Sequence, residues 1–96
     1  MNQEELIRAI QRVGMGTFVK YFEAFSDESK KSDDLVDALI KIEGYGNDSA
    51  RTQVNSARRI LSCNLSQEAL RVISESQNTD SWVAPKAIFL KEQHGN

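Results

Sequence analysis

The side chains best suited by type and spacing to do chemistry lie in the run NDSARTQVNSARRILSCNLSQ, residues 47–67. From Ser49 to Gln67 it holds no acidic residue, and Arg51, Arg58 and Arg59 make that window basic in a chain whose formal net charge is −2. On a helix turning about 100° per residue, Ala50, Val54, Ala57 and Leu61 point one way and Thr52, Asn55 and Arg59 the other. Arg51, Arg58, Ser56 and Ser62 lie on the flanks. Arg, Asn, Thr and Ser together are what a recognition helix offers to DNA: arginine to guanine, asparagine to adenine, hydroxyls and guanidinium groups to phosphate. The same face suits a protein interface, where arginine is enriched and lysine depleted. A third reading leaves it solvated, as the outside of a core helix.

Other reactive groups are poorly placed for catalysis. Cys63 falls at the C-terminal end of that helix, where the macrodipole disfavours a thiolate. The single histidine, His94, lies far away in the tail, so no Cys–His pair is expected, and it has no companions at metal-ligand spacing. Asp33, Asp34 and Asp37 crowd a helix start, where the positive end of the dipole favours acids. The pairs GMG and GYG lack a third glycine or a Gly-Lys-Ser/Thr and follow no strand, so they read as helix punctuation. No carboxylate pair stands in an apolar setting of the kind general acid–base catalysis uses. The sequence therefore assigns no catalytic residue, no cofactor and no metal, and points away from an enzyme.

The elements that must position these residues are helices. Apolar spacing is helical throughout, proline occurs once, at Pro85, and no run alternates long enough for a strand. Leu6, Ile7, Ile10 and Val13 define a first helix over 3–13, stopped by Gly14. Thr17 caps a short aromatic helix bearing Phe18, Tyr21, Phe22 and Phe25. After the polar connector SDESKKSDD, a third helix opens at Ser32 or Asp33 with Leu35, Ala38, Leu39 and Ile42 inward, and ends at Gly44. The fourth opens at Asn47, Asp48 or Ser49. Ser66 caps a fifth, with Ala69, Leu70 and Ile73 buried. A last helix begins between Ser81 and Pro85, with Ala87, Ile88 and Leu90 inward, and the tail 92–96 frays.

These spacings predict an all-α protein, a compact orthogonal bundle of five or six short helices forming one domain over 1–96. Hydrophobic residues make up 40% and charged residues 27%, an ordinary globular balance with no sign of intrinsic disorder away from the two ends. The lone cysteine forbids an internal disulfide, and neither a leader peptide nor a membrane span is visible, so the expected compartment is the cytoplasm.

The favoured functional reading is a non-catalytic interaction or regulatory module that binds a protein partner or a second copy of itself. Its contacts would come from Arg51, Thr52, Asn55, Arg58 and Arg59, and from an apolar patch of Phe18, Tyr21, Phe22 and Trp82. The alternative is a DNA-binding regulator whose helix-turn-helix-like pair presents 48–62 as the recognition helix. The net acidity of the chain weighs against that alternative.

Overall fold

Each apolar stripe forms a helix, in the order α1 (Gln3–Val13), α2 (Met15–Lys20), α3 (Phe22–Ser26), α4 (Ser32–Glu43), α5 (Asn47–Ser62), α6 (Ser66–Glu75) and α7 (Val83–His94). The computed structural model describes residues 1–77 and 79–94, and among these there is no strand. Of the expected frayed tail, 92–94 continue α7, while Gly95 and Asn96, like Asn78 in the turn before α7, lie outside the described residues.

There are seven helices among the described residues rather than five or six. The aromatic stretch divides at Tyr21, whose φ of −111° and ψ of 20° interrupt the helix. The division lets its two halves pack on different neighbours, α2 against α7 and α3 against α5. Thr17 does not cap this segment. Gly14 stands at the helix start instead, and the Thr17 hydroxyl bonds the Tyr45 hydroxyl at 3.1 Å.

Local chemistry sets the helix ends. The Asn2 side chain accepts the Glu5 N–H at 2.8 Å, capping α1. Gly14 closes α1 by donating to the Ile10 carbonyl and opens α2 by accepting from the Phe18 N–H. It does so at φ 87° and ψ 129°, a conformation that penalises any Cβ. At the end of α5, Asn64 takes φ 59°, the Asn64 N–H bonds the Leu61 carbonyl and the Leu65 N–H bonds the Ile60 carbonyl. This is a Schellman closure with asparagine in the left-handed position.

The core is wholly apolar: no polar or charged residue is buried among the described residues, and every helix contributes to it. α5 is central, packing against α1 and α4 and also touching α3 and α6, while α6 and α7 form the other extensive pair. The Cα radius of gyration is 12.4 Å, close to the roughly 12.5 Å expected for a single domain of this length. Some inward assignments fail, and Ala38 is only partly buried. Ile42 and Ile88 are exposed, and Leu61 is only partly buried because Ile60 occupies the inner position.

Gly14→Ala should cost about 1–3 kcal/mol, since its φ/ψ pair is essentially confined to glycine. Gly16→Ala should change stability by less than about 1 kcal/mol, because its new Cβ would meet Trp82 and Val83 at ordinary contact distances of 3.6–3.8 Å. Urea denaturation of the two variants side by side checks this.

Candidate interaction surface

The arginine face of α5 is present, but it is not free. Arg58 runs from the helix to the connector before α4. There its Nη2 donates to the Lys30 carbonyl at 2.6 Å and the Asp27 carbonyl at 3.2 Å, and its Nη1 to the Ser32 hydroxyl at 3.3 Å. Its Nε is buried without a partner. Arg51 pairs with Asp33 at 3.3 Å and Arg59 with Glu5 at 3.7 Å. The acid-free window in the sequence thus acquires acids in space, from α4 and α1. Thr52 and Asn55 remain exposed between them. The α4–α5 connection, Gly44 to Gly46, has the three residues a helix-turn-helix turn allows.

A second polar cluster joins α2 and α3 to the end of α4. Glu43 Oε1 accepts from Lys20 Nζ at 2.8 Å and from the Tyr21 hydroxyl at 3.1 Å. The Lys20 ammonium, and then the Tyr21 hydroxyl, hold the Glu43 carboxyl below its usual range. Desolvation, and then the hydrogen bond to Glu43, push the Tyr21 phenol up. The Glu43 carboxylate gathers both donors, so the cluster fastens α2 and the α2–α3 junction to the end of α4.

The expected aromatic patch is mostly interior. Phe18 and Phe22 are buried, their ring centroids 5.6 Å apart in an edge-on contact, and Tyr21 is half-buried. They cannot form an exposed patch in the folded chain, because the stripe that carries them is the core-facing side of α2 and α3. Trp82 alone of the four is exposed, with its indole ring lying against Gly16.

What sequence reasoning missed is the outer face of α7. Val83, Ala87 and Leu90 are buried, and Trp82, Ile88 and Phe89 are 44%, 46% and 60% exposed. Helical rotation places Trp82, Pro85 and Phe89 along one side, with Ile88 beside them. The signal was available: Val83, Ala87 and Leu90 follow i, i+4, i+7, and that stripe forces Ile88 and Phe89 to straddle the opposite side.

No family model, curated protein or solved structure matches this chain. Among the described residues, no three His, Cys, Asp or Glu side chains lie close enough to hold a metal ion. No helix there is long and apolar enough to cross a membrane. Cys63 is an exposed free thiol.

Two measurements separate structural from free charges on this surface. Arg58→Ala should destabilise the fold by about 1–3 kcal/mol, because it releases two backbone carbonyls and a hydroxyl. Arg51→Ala and Arg59→Ala should each cost less than about 1 kcal/mol, since exposed ion pairs contribute little. Denaturant midpoints, with hydrogen exchange of the 27–32 amides, read the difference.

Glu43→Gln should make the acid limb of the stability curve shallower. A carboxyl whose pKa is depressed in the folded state stabilises it above the ordinary value of 4.5 and loses that contribution as pH falls further. The gap between wild type and variant should therefore be largest near neutral pH and close on acidification.

Proposed function

We propose that this protein is a small non-catalytic helical module that binds another protein through the outer face of α7. One observation carries the reading: α7 buries one side against its own core yet still presents Trp82, Ile88 and Phe89 outward. A helix apolar on both sides is normally covered on both. The exposed parts of these three side chains amount to roughly 300 Å², within the range of patches that monomers keep for a use. Trp82 and Phe89 are the residue types that anchor interfaces at low conformational cost.

We read the arrangement of the short helices as an orthogonal bundle, which suits the nearly equal extents of 30 × 26 × 25 Å. The cytoplasm is the compartment that suits an exposed lone thiol.

The length of the α4–α5 connection favours a second reading, a DNA-binding regulator using Arg51, Thr52, Asn55, Arg58 and Arg59. It ranks lower because Arg58 is committed to the 27–32 segment and the other two arginines have acidic neighbours. The positive field along 51–59 is correspondingly reduced.

A photo-crosslinking amino acid placed at position 89, and separately at position 55, distinguishes the two. We expect protein adducts from position 89, lost when Trp82→Ala is added, and none from position 55. Adducts to DNA from position 55, with affinity falling steeply as salt rises, would reverse the ranking.

A further inference from the structure

We propose that the occupant of the α7 face is a second copy of this chain, docked antiparallel about a two-fold axis at Phe89. The proposal rests on the reading that this face binds protein, and it names the partner. Its basis is the charge pattern around the apolar side chains. Lys91 lies on the side toward α6, where it adds to the larger effect of Arg71 in holding the Glu68 carboxyl below its usual range. Lys86 and Glu92 are exposed and make no ion pair among the described residues. They stand three residues before and three residues after Phe89, so they are separated by about 9 Å along the helix.

An antiparallel pair centred on Phe89 brings Lys86 of each copy level with Glu92 of the other. Lysine and glutamate side chains span the 8–10 Å that separates packed helices. The two macrodipoles also oppose one another. A parallel pair would set lysine against lysine and glutamate against glutamate. The face is therefore complementary to itself in one orientation only, as a two-fold interface requires. Its apolar area, roughly 300 Å² per copy, is well below the ~800 Å² per partner of a standard stable interface. A face this small points to a weak, reversible dimer.

The test uses the full chain. Sedimentation velocity from about 5 µM to 1 mM should show a monomer–dimer transition. Over the same range the emission of Trp82, the chain's one tryptophan, should move to the blue. Phe89→Lys should weaken association at least about tenfold, with helicity by circular dichroism unchanged.

Lys86→Glu alone and Glu92→Lys alone should each weaken self-association by a similar factor, because each sets like charges together at both ends of the contact. An equal mixture of the two variants should recover wild-type association as a heterodimer. The double variant K86E/E92K should recover it as a homodimer. A chain that stays monomeric across the range overturns the proposal, as does a dimer indifferent to Phe89→Lys and to charge exchange. If the monomeric chain still gives position-89 adducts with other proteins, the partner is wrong and the protein-binding reading stands. If those adducts are missing as well, both fall.

Discussion

The fold depends on one apolar stripe. Ala50, Val54, Ala57 and Ile60 of α5 are fully buried, and α5 packs against four other helices, α1, α3, α4 and α6. Two of the four are alanines, which demand little space from a packed neighbour, and Val54 and Ile60 supply the bulk of the stripe. Short helices hold their shape through such tertiary contact rather than through propensity. This matters most for α2 and α3, of six and five residues, which are sustained by the buried Phe18, Val19, Phe22 and Phe25.

The same helix governs the surface. Once α5 is fixed by its buried side, its flanks must face α4 and the connector on one side and α1 on the other. The connector DESKK carries few apolar groups with which to fold itself. Arg58 gathers its carbonyls from across the gap, and Ser29 closes a turn on Asp27 through its N–H at 3.0 Å and its hydroxyl at 2.6 Å. The packing that sets α4 and α1 beside residues 51–59 thus offsets part of their positive charge. Charge counted along a sequence measures its neighbours in the chain. The electrostatic field depends on neighbours in space, and here Asp33 and Glu5 are among them.

Much of the fold was legible because helical periodicity is local. The bounds of α1, the buried sets of α6 and the start of α7 follow from spacing and from capping or breaking residues. What could not be read needed a partner. The division at Tyr21 depends on α7 and α5 each taking one half of the aromatic stretch. Ile42 has the spacing of a core residue, yet it sits in the last turn of α4, beyond the reach of the core. Arg58 looked like any outward arginine, and only the path of the 27–31 connector turns it into a fastener. The candidate surface was legible in one residue, Trp82. Phe18 and Phe22 have the same chemistry but fall on the stripe that the core claims.

α7 is where pattern and environment disagree most. α1 and α5 separate apolar from polar sides cleanly, so water and core together fix their rotation about their own axes. α7 has apolar groups all round, so hydrophobicity alone would tolerate several rotations. The side it turns inward carries Val83, Ala87 and Leu90, and the helix packs on α6 and α2. A helix that pays the solvation cost of an exposed phenylalanine, isoleucine and tryptophan is less stable alone than covered. That cost is the physical reason to look for the function of this protein on α7 rather than on the arginines of α5.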